Sequence, residues 1–377
     1  MAAPGTAPIH ISLDSAAAEG GTDELLSAML RANPRVSDLI FSPGRKLQVQ
    51  VNGDFVGVEV AGMPALTADD TRGIASHLIG NNKSAISMLR EQGYCDISYA
   101  LPGIARFRVN VFIQRGSCAV VMRAISSAVP SIQTLGAPDE LREVAGIRDG
   151  LVLVVGPRGC GKSSTLAALV DHINASSACH IITIEDPIEF LHNHKRATVH
   201  QRELHSDTPS VSHAMRAALR QSPNVIAVGE LKDRETTELA LDAAEAGHLV
   251  LSTFTAPTGP KSIERLVASF AGAEQTSVRD RLARILRFVV CQRLIPSRKE
   301  GERVGVFEIV HADSPVLGLL ASDAPSSLRR REKRTLDSEI ERLAREGVIS
   351  TEAALAYALD PGPLAKKLGP TDSSRLR

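Results

Sequence analysis

The sequence predicts an α/β protein of two domains: an α+β domain with an antiparallel sheet, then a parallel sheet covered by helices on both faces. Three observations carry this. Strand-like runs crowd residues 37–125. Past Gly150 the runs LVLVV, HIITI, NVIAV and HLVLS are short, apolar and β-branched, with helical stretches between most of them. The motif GPRGCGKS directly follows the first of these runs.

Composition narrows the class. The 377 residues, 43% hydrophobic and 23% charged, suit a soluble protein of two or three domains. Lys+Arg and Asp+Glu both number 43, so no net field draws the chain to nucleic acid or lipid. Aromatics at 3% leave few platforms for stacking bases. Five cysteines form no CxxC pair and one is left over, which speaks for a reducing compartment. No apolar run reaches bilayer-spanning length, and the first thirty residues hold no Lys or Arg, which argues against a targeting peptide.

Along the chain, residues 1–21 are small and Gly/Pro-punctuated and read as a flexible tail. Leu25, Leu26, Met29 and Leu30 space one face of a helix that opens at Thr22. Strands are predicted over 37–41, 47–51 and 55–60, with Asn52-Gly53 as a hairpin turn. Thr67 and Asp70 make a capping box for a helix to about Ile79. DISYAL, ARFRVNVF and CAVVMRAI return to strands. Boundaries are therefore expected at 22–125 for the first domain, 126–149 for a linker, 150–310 for the second domain and 311–377 for a helical segment. Arg281, Arg284 and Arg287, beside Leu282, Ile285, Leu286 and Val289, read as one amphipathic helix.

Gly156, Gly161, Lys162 and Ser163 fit GxxxxGK[ST], with a buried strand before and an Ala-rich helix after. The spacing has a chemical reason. Glycines let backbone N–H groups turn toward a β-phosphate, and the helix N-terminus adds positive potential. Lys162 reaches the β- and γ-phosphates, and the Ser163 hydroxyl suits Mg²⁺. Pro157, Arg158, Gly159, Cys160 and Ser164 complete the cradle. Inward amides, Lys162 and Arg158 around Cys160 predict a lowered thiol pKa and redox sensitivity; the plainer alternative is a small residue that fits.

Such a loop needs acids. HIITI runs into Glu185-Asp186-Pro187-Ile188-Glu189, and NVIAV into Gly229-Glu230. An apolar strand ending in an acid is the Walker B arrangement, so Glu230 is the candidate for the Mg²⁺ shell and Glu189 for polarising water. Glu185 and Asp186 serve this chemistry or simply shape the turn. His248, which opens the next strand, either senses the γ-phosphate or is an ordinary half-buried histidine. Seven of the eleven histidines fall between 180 and 248, but at no spacing of a zinc frame.

GPRGCGKSS, TIEDPIEF, VGELKD and AEAGHLVLST resemble the Walker A, Asp, Walker B and His boxes of the secretion ATPase superfamily. With SDLIFSPG, LPGIARFRVNVF, QRELHSDT and RTLD in order, the likeness covers most of 22–345 and is closest to the type IV pilus retraction (twitching-motility) ATPases of PilT and PilU type. The resemblance implies a PAS-like N-terminal domain and a RecA-like P-loop NTPase domain followed by C-terminal helices. It implies ATP and Mg²⁺ as ligands and a homo-hexamer, alone or with a paralogous ATPase. It also implies a place at the cytoplasmic face of the inner membrane, against a pilus platform protein. Arg108, Arg115 and Arg123 match the family's phosphate-reaching arginines; alternating arginines are also what a solvated sheet face shows.

Three departures stand out. Where the family has Thr-Leu-His-Thr, this chain has Thr253-Phe254-Thr255-Ala256, then Pro257 and Pro260. The stretch Pro315–Asp323 lacks the arginine of the retraction signature, which leans toward a PilU-like accessory motor. The segment before Thr335-Leu336-Asp337 is short and carries the basic cluster Arg329–Arg334, a solvated face or a contact for anionic lipid or a partner. Two other readings stay open: a weakly hydrolysing, nucleotide-binding regulator and a secretion-system ATPase.

Overall fold

The computed structural model describes residues 9–11, 21–33, 36–51, 54–60, 64–125, 128–299, 301–311 and 335–368. They fall into two units, Met1–Ala128 and Val129–Arg377. Asn52-Gly53, Pro315–Asp323 and Arg329–Arg334 lie outside the described residues.

The N-terminal unit contains β1 (Ile9–Ile11), α1 (Thr22–Ala32), β2 (Val36–Phe41), β3 (Leu47–Val51), β4 (Asp54–Val60), α2 (Ala68–Ile79), α3 (Lys83–Gln92), β5 (Tyr94–Leu101), β6 (Ala105–Gln114) and β7 (Ser117–Ile125). Its sheet runs β1-β4-β3-β2-β7-β6-β5, antiparallel except where β1 joins β4. Alternation builds the core: Phe107, Val109 and Val111 of β6 point inward, while Arg108 between them is exposed. The capping box forms as predicted, with Thr67 N–H donating to Asp70 Oδ2 (2.7 Å) and Asp70 N–H to Thr67 Oγ1 (3.1 Å). The expected tail is corrected over Ile9–Ile11, which pairs with Val58–Val60; Ile9 and Ile11 pack on the core.

The C-terminal unit contains β8 (Gly150–Gly156), α4 (Lys162–Ser176), β9 (His180–Glu185), β10 (Thr198–Glu203), α5 (Val211–Ala218), β11 (Val225–Val228), α6 (Arg234–Glu245), β12 (Leu249–Thr255), α7 (Gly259–Ala268), α8 (Gln275–Ile285), β13 (Leu286–Pro296), β14 (Arg303–His311), α9 (Leu336–Arg345), α10 (Thr351–Tyr357) and α11 (Pro361–Leu368). The strand order is β10-β9-β11-β12-β8-β13-β14, parallel except for the antiparallel β13–β14 pair. Every residue of β8 is buried, because apolar side chains cover the sheet on both faces.

Three further findings bear on the expected boundaries and elements. Ile132, Leu141 and Val144, within the expected linker, are buried in the same cluster as Leu166, Leu169 and Val170 of α4; their apolar spacing gives that segment a core face. Leu336, Ile340 and Leu343 of α9 join the core on the other face, so the described part of the C-terminal segment packs onto this unit. The amphipathic helix stops at Ile285. Leu286 turns extended and the β-branched, aromatic run that follows pairs with both β8 and β14, so sheet pairing overrides the helical spacing of Arg287.

Candidate nucleotide site

β8 carries the chain to Gly156 in the sheet centre, and α4 departs at Lys162. Between them Gly159 (φ 74°) and Gly161 (φ 89°) adopt left-handed backbone that only glycine takes readily. Gly156 answers a different demand: a Cβ there would overlap Cys160 Sγ and the Gln292 carbonyl oxygen. Lys162 Nζ donates to the carbonyls of Gly156 and Pro157, both at 3.1 Å.

Parallel pairing brings the acids to the same edge. Val228 aligns with both Ser252 and Ile184, and Gly156 with Thr255, so β8, β9, β11 and β12 all point their C-terminal ends to one edge, with β8 and β12 reaching three residues past β11. A cleft of about 740 Å³ opens there, lined by Arg158, Gly159, Gly161, Lys162, Ser163, Ser164, Glu185, Asp186, Glu189, Glu230 and Thr255 among others. Of the predicted cradle, Gly156, Pro157 and Cys160 do not line it. Cys160 is buried, and loss of water pushes its thiol pKa up despite Lys162 nearby. The predicted lowering of the thiol pKa is corrected, because desolvation outweighs the positive charge, and the plainer alternative of a small residue that fits is favoured.

The acids differ in surroundings. Glu230 is half-buried, and its Oε1 accepts from Thr255 Oγ1 at 2.5 Å. Glu189 is exposed in the cleft. Glu185 is held hard: its Oε1 accepts from Thr183 Oγ1 (2.6 Å) and Gln201 Nε2 (3.0 Å), and its carboxyl accepts the backbone N–H of Glu189. Burial raises its pKa, with these donors opposing. It fixes the loop that presents Glu189, a role hidden in the sequence because Gln201 is sixteen residues away. Asp186 pairs with Lys232 at 2.8 Å.

His248 is not brought to the cleft. It precedes β12, its carbonyl accepts the N–H of Gly150 at the start of β8, and its Nδ1 donates to Pro223 O at 2.8 Å. Six residue steps of extended strand lead from Leu249 to Thr255, about 20 Å. The reading of His248 as a phosphate sensor is therefore corrected. The residue at the cleft end of that strand is Thr255.

Arg108, Arg115 and Arg123 belong to the N-terminal unit, and all three are exposed. Arg108 and Arg123 sit directly opposite on β6 and β7, and Arg123 Nε donates to Asp38 Oδ1 at 2.8 Å. Arg115, at φ 47°, forms the turn between these strands.

Metal donors are sparse. Among the described residues no group of three or more His, Cys, Asp or Glu is placed to hold an ion. Ser163 and Glu230 nevertheless offer hard oxygens to one cleft, the donor set of a cation that keeps much of its water, as Mg²⁺ does. One residue of the site escaped the sequence reading: Gln292 on β13 touches both the loop and α4. Its signal was an amide, with Arg293 beside it, inside the otherwise apolar run VVCQRLI.

The sequence matches the type II/IV secretion system protein family over residues 92–353. It is 37% identical over 337 residues to the type IV pilus retraction ATPase PilT of Pseudomonas aeruginosa, covering 88% of this chain and 96% of that protein. It is also 37% identical to a twitching motility protein of Neisseria gonorrhoeae, over 81% of this chain and 82% of the relative. The crystal structure of the pilus retraction motor PilT with bound ADP superposes with a TM-score of 0.85 at 36% identity, over 92% of this chain and 99% of that one. With its glycine-lysine loop and strand-end acids at one sheet edge, this chain belongs to the type II/IV secretion system family, among the twitching-motility ATPases.

Proposed function

We infer that this chain hydrolyses ATP as a motor of the pilus retraction class. The observation that carries it is the convergence of Lys162, Ser163, Glu189 and Glu230 on one cleft. Loop amides and the start of α4 take the phosphates, and Lys162 exchanges its two neutral carbonyl partners for them. Glu189 orients the attacking water, on a loop that Glu185 holds by a backbone hydrogen bond. Ser163 and Glu230 are the oxygens that would hold Mg²⁺, which supplies charge neutralisation on the phosphates.

The finer reading goes further. β12 lies between the phosphate-loop strand β8 and the acid strand β11, an order that supports a RecA-like domain; the N-terminal unit is read as PAS-like. In a homo-hexamer, alone or with a paralogous ATPase, Arg108, Arg115 and Arg123 would reach phosphate as arginine fingers. The assembly would work against a platform protein at the cytoplasmic face of the inner membrane, without nucleic acid. Among the described residues no helix is long and apolar enough to cross a membrane.

The test is steady-state ATP hydrolysis with oligomeric state recorded in the same sample. Turnover of about 1 s⁻¹ or more from a hexamer is expected. Lys162→Ala and Glu230→Ala should each abolish it; wild-type turnover in either removes the site assignment. A second reading, the weakly hydrolysing regulator, draws on Thr255, whose hydroxyl bonds Glu230 at the position where the family resemblance implies a histidine. ATP binding with turnover no higher than in Glu230→Ala would favour it. Loss of secretion with intact surface motility on gene deletion would favour the secretion ATPase.

A further inference from the structure

Gln292 is a polar side chain in a strand that otherwise buries apolar groups, and only 3% of its surface is exposed. Burying an amide there is costly unless both of its ends are paired. Both are. Gln292 Oε1 accepts from Thr165 Oγ1 at 2.7 Å, in the first turn of α4, and Gln292 Nε2 donates to the carbonyl of Cys160 at 2.8 Å. A carbonyl can only accept, so the Cys160 contact alone fixes which end of the amide faces the loop.

The consequence lies in the geometry of one peptide bond. In a trans peptide the C=O and the following N–H point in opposite directions. Holding the Cys160 oxygen toward β13 therefore turns the N–H of Gly161 away from β13. Gly161 lines the cleft, whereas Cys160 does not, so that N–H is aimed at the phosphate side. The loop glycines fit around this amide: a Cβ on Gly161 would sit 2.9 Å from Gln292 Nε2, and one on Gly156 would meet the Gln292 carbonyl oxygen at 2.5 Å. Two of the motif glycines thus make room for Gln292 and its backbone.

We propose that Gln292 is a positioning residue for the nucleotide: its amide locks the Cys160–Gly161 peptide so that the loop presents an N–H to the phosphates of ATP before ATP arrives. The proposal rests on the ATPase reading above. Lock and ligand are separable, because Gln292 lies behind the loop and touches no part of the cleft. Removing it should therefore weaken binding without altering the reacting groups.

The experiment compares wild type, Gln292→Leu, Thr165→Val and Lys162→Ala by ATP hydrolysis, by titration with a fluorescent ATP analogue, and by thermal unfolding. Gln292→Leu should raise KM and the analogue's Kd roughly tenfold, the worth of one buried hydrogen bond with its orientation effect, and leave kcat within about twofold. Thr165→Val, which frees only the far end of the amide, should raise KM about threefold and guards against a Gln292 variant that does not fold. A purely structural role predicts the converse: a lowered melting temperature with KM and Kd unmoved, and that result in either folded variant overturns the proposal. A wild type that neither binds nor hydrolyses ATP overturns the ATPase reading and this inference together. Wild-type binding with an unchanged Gln292→Leu overturns this inference alone.

Discussion

Thr255 Oγ1 donates to Glu230 Oε1 across 2.5 Å, which ties the last residue of β12 to the acid that follows β11. The two strands are already paired along Val225–Val228, so the side-chain bond extends the sheet's own connection into the cleft. A hydroxyl does this without carrying charge at any working pH.

If that bond holds Glu230 in place, Thr255→Val should lower kcat about tenfold with little change in KM, because the carboxylate is released while the phosphate loop is untouched. Equal kcat in steady-state assays would show that Glu230 needs no such restraint.

Glu185 predicts a pH dependence. Its folded pKa stands above the ordinary 4.5, so the folded chain binds more protons than the unfolded one in the window between 4.5 and the raised value. Its contribution is then fully present below 4.5 and is lost as pH rises through that window. Glu185→Gln lacks this loss. The melting temperature of the variant relative to wild type should climb as pH rises through the window and level off above it; a flat difference would place the ionisation elsewhere.

Cys160 should be inert. With its thiol buried and its pKa raised, alkylation at neutral pH should reach the half-buried Cys118 and Cys179 well before Cys160. Peptide mapping after a timed maleimide pulse reads this directly, and prompt labelling of Cys160 would restore the redox-sensor idea.

His248→Ala should keep kcat within about twofold while costing on the order of 1 kcal/mol of stability through the lost bond to Pro223. A large drop in kcat without a drop in stability would return His248 to the chemistry.

Local signals were the legible ones. Thr67 and Asp70 stand three residues apart and declare their helix, and the loop from Gly156 to Ser163 declares its own phosphate geometry. The acids were legible as strand ends. What stayed hidden depends on distant pairing. Gln292 meets Cys160 across 132 residues, and nothing near it in sequence announces the partner. His248 misled although it opens β12: in a parallel sheet the phosphate loop and the acids follow the strands, so a residue ahead of a strand sits at the opposite edge. Arg281 and Arg284 sit in the last turns of a true helix, but Arg287 continues their spacing into a strand because β8 and β14 offer pairing that local periodicity cannot register.

The seven residues of β12 match Gly150–Gly156 one for one, and four of them match β11 on the other side. Both faces of this sheet are core, so slipping either ladder by one position would swap every β12 side chain from one core to the other. β12 therefore works as a ruler between the phosphate loop and the acid edge, and its length is not adjustable. On the ATPase reading, what ATP changes in this unit falls first on side chains outside the ladders, such as the Lys162 ammonium, while the spacing that β12 sets between loop and acids stays constant.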